Sequence, residues 1–324
     1  MALSYEYSIG SVRAREKNLF SRADLENMLS LKDMESLSRF LRDKSFSEGE
    51  TVEEMLKNST KDTMSYLYSV VPDESIFNAF LYVNDAHNIK SVIKGILAGA
   101  DYKRLFVSPC TISTDDIETA VKENKYELLP ESFCEAAKKA YETLAHTADA
   151  RLADAYIDRA CMTAQLKAAE ETKTEFLTEY LELEIFWRLV KIALRGAKTG
   201  AGIAYYEEAF CEGVKGFDVK EITAAALKGE EAVCEYFSAK DINKSREAME
   251  RYKSSPAEFE KFTENLLMSL AIEKCRRGGT GAEAAIGYYL GSLAQRRAVQ
   301  IIASGIRTRT DGEITRERLR EIYG

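Results

Sequence analysis

Three stretches of this 324-residue sequence align with one another without gaps and decide the fold. They read DAHNIKSVIKGILAG at Asp85–Gly99, ELEIFWRLVKIALRG at Glu182–Gly196 and GSLAQRRAVQIIASG at Gly291–Gly305. Apolar residues occupy equivalent places in all three and recur at spacings of three and four, the period of an amphipathic helix. The offsets between the stretches are 97 and 109 residues. The pattern predicts three related helices, one in each third of the chain.

Each of the three stretches closes with a glycine, namely Gly99, Gly196 and Gly305. Helices commonly end at a glycine, because a residue without Cβ adopts the left-handed conformation of a helix C-terminus at little cost. We therefore expect each helix to end at its glycine.

A helix-start signal follows each stretch after a loop. The signals pair a capping residue with an apolar residue four positions on: Ser113 with Ile117, Asp218 with Ile222, and Thr315 with Leu319. The first two carry the acid of a capping box, Asp116 and Glu221. The N-terminal stretch Ser21–Leu31 resembles these starts. Agreement that continues past the helix favours a true repeat over the weak alignment that any two amphipathic helices give.

The remainder of the chain also predicts helices. Only four prolines occur, and helical periodicity runs almost throughout. Leu105–Ser113 is the one plausible extended piece, and Pro109 interrupts it. We predict an all-α fold of three pseudo-equivalent helical domains, 1–112, 113–217 and 218–324. Because Gly312–Tyr323 looks like the start of a further unit, the C-terminal turn is expected to pack near the first domain.

Composition excludes several classes of protein. The formal net charge of −8 argues against nucleic-acid binding, which normally needs a basic surface. Six cysteines lie far apart without a Cys-x-x-Cys pair, which is typical of reduced intracellular thiols in a core. Neither a signal peptide nor a membrane-spanning stretch is recognisable. These features predict a cytoplasmic protein whose contact with a membrane is made through a partner.

No catalytic, cofactor-binding or metal site is predicted. The only histidines are His87 and His146, which give little material for a catalytic triad or a metal centre, and both are interpreted as structural. The glycine-containing loops Gly196–Gly202 and Gly278–Gly281 lack the spacing of a phosphate-binding loop. Trp187 falls on an apolar helical face and is predicted to be a core residue.

Three stretches of the sequence carry a family resemblance. Tyr5–Leu31 has a tyrosine followed by Arg-x-Arg and a short helix, Asp85–Lys94 has an Asp-x-x-Asn-x-Lys pattern, and Ala298–Tyr323 runs from a helix through a glycine-containing loop to a helix and a tyrosine. In this order and length they resemble the C subunit of V-type and A-type ATP synthases, the counterpart of subunit d in the eukaryotic vacuolar proton pump. One departure lies at Ser292–Arg297, where the family's third repeat carries an acid that is missing here.

The resemblance implies a fold and a role. The implied fold is a funnel of three helical domains around a pseudo-threefold axis. The implied role is that of a non-catalytic rotor subunit, a socket that links central-stalk subunits of the D and F type to the proteolipid ring and transmits torque. Such a subunit lies on the cytoplasmic face of the membrane and needs no cofactor.

The loops after the three aligned helices are the predicted partner-contact sites, because pseudo-symmetry places them at one end. They carry Lys103 and Arg104, then Lys198, then Arg307 and Arg309. The competing interpretation is that these are solvated cations after helix ends, where the helix dipole favours them.

Two other functions stay open at this point. One is an all-α adaptor that binds a partner helix and has no connection with a rotary motor, although no repeat of 30–50 residues typical of helical adaptors is found. The other is an all-α metal-dependent enzyme. Its site would need clustered acids at metal-binding spacing, and the only aspartate pair, Asp115-Asp116, lies too close to Glu118 to supply it.

Overall fold

The computed structural model describes residues 4–324, and in this part the chain is 78% helical with no strand. The all-α prediction is therefore confirmed. The α-helices of the described residues are α1 (Tyr5–Glu16), α2 (Arg22–Leu29), α3 (Met34–Asp43), α4 (Val52–Val70), α5 (Asn78–Ala98), α6 (Thr114–Lys122), α7 (Glu131–Thr147), α8 (Ala150–Thr172), α9 (Glu175–Lys198), α10 (Ile203–Ala209), α11 (Val219–Lys228), α12 (Glu230–Lys240), α13 (Ser245–Ser254), α14 (Pro256–Ala271), α15 (Ala282–Thr308) and α16 (Gly312–Arg318).

Short helical turns connect several of these helices. They are the 3-10 turns Glu74–Phe77, Lys103–Leu105, Tyr126–Leu128 and Ile242–Lys244 and the π-helical turn Ile272–Arg276. None of the helices in residues 4–324 is both long and apolar enough to cross a bilayer. The expected extended piece at Leu105–Ser113 forms no strand, because its main-chain groups bond to side chains of α5.

The helices divide into two compact units. The terminal unit combines the chain up to Glu74 with Glu250–Gly324, and the central unit is Ser75–Met249. The terminal unit is therefore discontinuous in sequence, and the central unit is inserted into it. This division follows the density of contacts along the chain. The three-domain division at 112 and 217 rests on sequence repetition and stays a prediction.

The terminal unit is built around α15, which packs against α1, α2, α3, α4 and α16. Helices from both ends of the chain share one apolar core, because each of them buries a narrow apolar stripe. The core residues are Phe20, Leu25, Met28, Leu37, Leu41, Val52, Met55, Leu56, Ala298, Val299, Ile302, Ala303 and Leu319.

The stretch of α15 that departs from the family pattern makes its own contacts in the terminal unit. Gln295 accepts a hydrogen bond from the backbone N–H of Phe20 at 3.2 Å, and Arg296 donates to the carbonyl of Leu56 at 3.0 Å. Arg297 pairs with Glu264 of α14 at 2.8 Å. Polar residues of this stretch therefore tie α15 to both chain ends without the missing acid.

The central unit has α8 at its centre, packed against α5, α7, α9 and α10. Two ion pairs join α5 to α8: Lys90 to Asp158 at 2.6 Å and Lys94 to Asp154 at 2.7 Å. Because the later residue of α5 pairs with the earlier residue of α8, the two helices run antiparallel. Trp187 is 1% exposed, as predicted for a core residue.

The cysteines are mainly core residues, as predicted. All six are free thiols, and those that are buried are Cys161, Cys211, Cys234 and Cys275.

Candidate functional site

The three aligned stretches lie in α5, α9 and α15, which confirms the prediction of three helices. We call these the repeat helices. Their C-terminal ends share one geometry, in which a backbone N–H bonds to the carbonyl five residues earlier. The bonds run from Ala100 to Gly95 at 3.0 Å, from Ala201 to Gly196 at 2.9 Å and from Thr310 to Gly305 at 2.9 Å. This is the longer bond of a Schellman cap, and it turns the chain back toward the helix.

The residue just before each bonded N–H is left-handed, as such a cap requires. These residues are Gly99 with a φ of 61°, Gly200 with a φ of 65° and Arg309 with a φ of 53°. The expectation that each helix ends at its aligned glycine is therefore right for Gly99. It is wrong for Gly196 and Gly305, which lie inside α9 and α15.

Gly196 and Gly305 are needed for close packing instead. A Cβ at Gly196 would lie 2.7 Å from the ring of Tyr206, and one at Gly305 would lie 2.6 Å from Oγ1 of Thr315. Gly95 has the same role, because a Cβ there would collide with the ring of Tyr102. In each repeat, a glycine lets the following segment fold back onto the helix.

The equivalent glycines are thus Gly95, Gly196 and Gly305, with offsets of 101 and 109 residues. The sequence alignment placed the first repeat helix four residues, about one turn, out of register. A shift of four residues keeps the same face of a helix, so the apolar positions alone could not reveal the error.

The predicted helix starts are confirmed at two of three places. Ser113 caps α6 and Asp218 caps α11, with Ile117 and Ile222 fully buried. The prediction that Thr315 caps the third helix is wrong. The N-cap of α16 is Asp311, four residues earlier, whose side chain accepts the N–H of Glu313 at 2.8 Å.

Other features of the starts differ in detail. Thr315 lies inside α16, and its hydroxyl donates to the carbonyl of Asp311 at 3.0 Å. Glu221 accepts a hydrogen bond from Tyr236 at 2.9 Å and pairs with Lys240, so its carboxylate is engaged by α12. The earlier start at Ser21 forms a complete capping box with Asp24.

We call the last one or two residues of each repeat helix, together with the chain that follows it, an exit segment; the ranges are 98–113, 198–218 and 307–315. The first exit segment runs back along α5 and is held by its polar side chains. Asn88 accepts the N–H of Val107 at 2.9 Å and donates to the Val107 carbonyl at 3.0 Å, as a neighbouring strand would. His87 bonds to the carbonyl of Leu105 at 2.9 Å, which supports its interpretation as structural.

Asp85 is the most buried acid in this region, with no exposed surface. Its carboxylate accepts the N–H and the hydroxyl of Thr111 at 2.8 and 2.6 Å and the N–H of Ile112 at 3.1 Å. Burial raises the pKa of Asp85, and these hydrogen bonds oppose the rise. In the Asp-x-x-Asn-x-Lys pattern, Asp85 and Asn88 thus hold the first exit segment on α5, and Lys90 forms an ion pair with α8.

Glu118 of α6 binds the turn at the start of the same segment. Its carboxylate accepts the hydroxyl of Tyr102 at 2.5 Å and pairs with Lys103 at 3.1 Å and Lys122 at 3.2 Å. The hydrogen bond from Tyr102, together with the two lysines, lowers the pKa of Glu118 to about 2. Lys103 therefore has an ion-pair partner although its side chain is 66% exposed.

The second exit segment packs on α8, and its residues line a cavity of about 900 Å³. Arg151 donates to the hydroxyl of Thr199 at 2.9 Å, and Arg159 pairs with Glu208 at 2.6 Å. Ile203 lines the cavity and is 55% exposed.

The third exit segment carries two of the predicted cations. Arg307 pairs with Glu53 of α4. Arg309 is exposed and left-handed at the position where the first two repeats have glycine. Ile314, in the first turn of α16, is 47% exposed.

The predicted contact residues of the central unit lie toward one end of it. The C-terminal part of α5 lies beside the N-terminal end of α8, as the Lys94–Asp154 pair shows. The bond from Arg151 to Thr199 places the C-terminal end of α9 there as well. Lys198, the last residue of α9, is exposed at this end, and the turn that follows α5 carries the exposed Lys103 and Arg104. Arg307 and Arg309 belong to the terminal unit.

Sequence reasoning missed the apolar component of these segments. Leu105 is 49% exposed, so each exit segment presents an aliphatic side chain, Leu105, Ile203 or Ile314, together with its predicted cations. An apolar residue a few positions after the end of each repeat helix was the available signal, but its exposure could not be read from the sequence.

A family comparison agrees with this architecture. The family model described as ATP synthase (C/AC39) subunit matches residues 8–318, nearly the whole chain. The chain belongs to the ATP synthase (C/AC39) subunit family. Members of this family are the C/AC39 subunits of V/A-type ATP synthases. The match therefore supports the prediction that this chain is a subunit of a rotary ATPase. The curated proteins compared with the chain gave no match.

Membership of the C/AC39 family bears on the functions left open by the sequence. A family match over almost all of the chain supports a rotary ATPase subunit rather than an adaptor without connection to a rotary motor. In residues 4–324 no group of three or more His, Cys, Asp or Glu side chains is arranged to hold a metal ion.

Proposed function

We propose that this C/AC39 subunit is a non-catalytic rotor component that seats the central stalk on the proteolipid ring at the cytoplasmic face of the membrane. Its partners are stalk subunits of the D and F type and the ring, and its three helical domains form a funnel around a pseudo-threefold axis. The exit segments are its partner-facing surfaces. The role is mechanical, since torque passes through packed helices and requires no cofactor.

The observation that carries this proposal is the common design of the exit segments in a chain of this family. Each follows the same capped helix end, and each exposes an aliphatic residue in the same stretch of chain as its predicted cations. Interfaces combine an apolar centre with a charged rim, whereas solvated loops after helix ends need only the charge. The exposed Leu105, Ile203 and Ile314 therefore favour partner contact over simple solvation of the cations.

Arg309 gives a second, independent support. A left-handed conformation costs a residue with a Cβ about 1 kcal/mol or more, and glycine avoids this cost. The first two repeats have Gly99 and Gly200 at this position, while the third keeps an exposed arginine. Unfavourable backbone conformations that persist are concentrated at functional sites. Seven other described non-glycine residues also have a positive φ, so Arg309 is a candidate for partner contact because it is an exposed cation at the position of Gly99 and Gly200, and not because of its conformation alone.

Affinity purification of the tagged protein from gently solubilised membranes tests the overall role. Co-purification of stalk subunits, proteolipid ring and nucleotide-binding head, identified by mass spectrometry, is the expected result. Recovery of the chain alone, with no motor subunit, would contradict the proposal.

Charge reversal tests the exit segments. Lys103→Glu/Arg104→Glu is expected to weaken binding to the purified stalk subunits about fivefold or more, because rim charges set electrostatic complementarity. The matched control is Lys138→Glu/Lys139→Glu, which reverses two exposed lysines of α7 outside the exit segments. Equal affinities of the two variants and the unmodified chain would remove this segment from the interface.

Arg309→Gly separates binding from folding. The variant is expected to unfold at a higher denaturant concentration, since glycine relieves the left-handed strain, and yet to bind the stalk more weakly. A stabilised variant with unchanged affinity would assign Arg309 no role in partner binding.

A further inference from the structure

The terminal unit contains a cavity that the rotor role leaves unused. It lies where α2, α14, α16 and the π-helical turn Ile272–Arg276 come together with the last residues of the chain, and its volume is about 800 Å³. Volumes of this size are typical of small-ligand sites. The cationic side chains that line it are Arg22, Lys261, Arg276, Arg316 and Arg320. Only two lining side chains, Glu26 and Glu321, are carboxylates.

Both carboxylates already have partners. Glu26 pairs with Arg316 at 2.5 Å, and Glu321 accepts the hydroxyl of Ser269 at 2.9 Å. Arg320 is neutralised by Glu264 at 2.6 Å. Glu26 and Glu264 therefore offset Arg316 and Arg320, and Glu321 leaves one carboxylate at the cavity against three cations that have no ion-pair partner among the described residues, Arg22, Lys261 and Arg276.

Those three cations keep unused hydrogen-bond donors. Lys261 donates to the carbonyl of Glu317 at 2.6 Å, and Arg276 donates to the carbonyl of Tyr323 at 2.9 Å. Carbonyls are neutral acceptors, and a lysine has three donors and an arginine five. The side chain of Arg22 makes no hydrogen bond or ion pair with a described residue. The cavity thus has an excess of positive charge and of free N–H groups.

The backbone at the cavity is unusual as well. Ile272 and Arg276 both line it and both belong to the π-helical turn that follows α14. Such turns are rare, and they are found disproportionately at functional sites. Apolar side chains, among them Leu25 and Ile322, complete the lining.

We propose that this cavity binds the phosphate group of an anionic ligand through Arg22, Lys261 and Arg276. Guanidinium groups bind phosphate oxygens in pairs, and a lysine adds a point charge. The apolar lining accommodates the body that carries the phosphate. The phosphate can come from a soluble compound or from a lipid headgroup, and the inference is independent of the proposed rotor role.

Two probes distinguish these sources in the full-length chain at low ionic strength, where screening is weak. Inorganic pyrophosphate is titrated by calorimetry, and vesicles of phosphatidylglycerol are compared with vesicles of phosphatidylcholine by co-sedimentation. Saturable pyrophosphate binding supports a soluble phosphate ligand. Binding to the anionic vesicles alone supports a lipid headgroup.

The variant Arg22→Glu tests the cavity itself. It is expected to weaken binding of the active probe about tenfold or more without affecting the fold, because Arg22 has no partner to lose. Lys261→Gln is also expected to weaken binding of that probe. The matched control, Arg39→Glu, reverses an exposed arginine of α3 in the same unit, whose partner is Glu35. If neither pyrophosphate nor the anionic vesicles bind, or if Arg22→Glu and Arg39→Glu weaken binding equally, the proposal is overturned.

Discussion

At the scale of single residues, Asp85 holds the first exit segment on α5. Burying its carboxylate costs free energy, and the hydrogen bonds that the carboxylate accepts offset this cost. A carboxylate without exposed surface is tolerated because three donors of Thr111 and Ile112 converge on it. The sequence pattern identified this residue, but the pattern gave no role for it. The structure shows that it anchors the first exit segment to α5.

Replacing Asp85 by alanine is expected to lower the free energy of unfolding by about 2–4 kcal/mol, because buried donors lose their acceptor. Asp85→Asn is expected to cost less, since the amide oxygen still accepts. Urea unfolding followed by circular dichroism measures both. Asp116→Asn, at an exposed position of α6, serves as the control. A loss no larger than that of the control would show that the segment is held by other contacts.

Glu118 makes stability depend on pH. Its pKa is lowered from 4.5 to about 2 in the folded chain, so the ionised carboxylate contributes its full stabilisation above about pH 4.5. The contribution is lost as the pH falls from 4.5 toward 2. Allowing for solvent screening, Glu118→Gln is expected to cost about 1–2 kcal/mol at pH 7 and progressively less below pH 4.5. A difference in unfolding free energy that stays constant from pH 7 to pH 3 would contradict this assignment.

At the scale of the helical elements, the decisive residues are the glycines inside the repeat helices. Gly305 lies against Thr315, whereas Gly10 in α1 has no atom within 4 Å of a Cβ built on it. A substitution at Gly305 therefore tests both packing and helix propensity, whereas the same substitution at Gly10 tests helix propensity alone.

Gly305→Ala is expected to destabilise the chain by about 1–3 kcal/mol, because Thr315 must move to admit the methyl group. Gly10→Ala is expected to stabilise it by up to about 1 kcal/mol, the gain in helix propensity. Thermal and urea unfolding of the two variants provide the comparison. Effects of the same sign would contradict the packing role of Gly305.

These elements also show how far sequence reasoning extends. Apolar periodicity predicted α5, α9 and α15, and capping chemistry predicted the starts of α2, α6 and α11, because both signals are local. The internal position of Gly196 and Gly305 could not be predicted, since it depends on Tyr206 and Thr315 folding back from the next segment. The early start of α16 followed from Asp311, whose cap competes with the one expected at Thr315.

At the scale of the whole molecule, the all-α class and the family were readable from the sequence, and the discontinuous unit was not. The aligned stretches indicate related helices, but they carry no information on which chain ends share a core. The candidate contact cations were identifiable from their place after the repeat helices. The exposed aliphatic residues beside them depend on tertiary burial, which periodicity in short segments cannot report.

The terminal unit depends on α15 and α16 for its core. A chain that ends at Gly281 is expected to lose protection from hydrogen exchange in α4, whose apolar residues Val52, Met55 and Leu56 pack with α15. Protection in α8 of the central unit is expected to persist. Hydrogen-exchange mass spectrometry of the full and shortened chains measures both helices. Retained protection of α4 in the shortened chain would show that the N-terminal helices form a core by themselves.

The shared core of α4 and α15 has a consequence for synthesis of the chain. The ribosome releases α1–α4 long before it reaches Ala282, the first residue of α15. At about 5–20 residues per second, the N-terminal helices wait on the order of 10–40 s for the helix that covers them, while the central unit emerges in one piece and can fold at once. During that interval the nascent chain exposes the apolar faces of α2, α3 and α4. We expect chaperones to bind the chain during this interval, and a fragment released by stalled translation to be open to degradation.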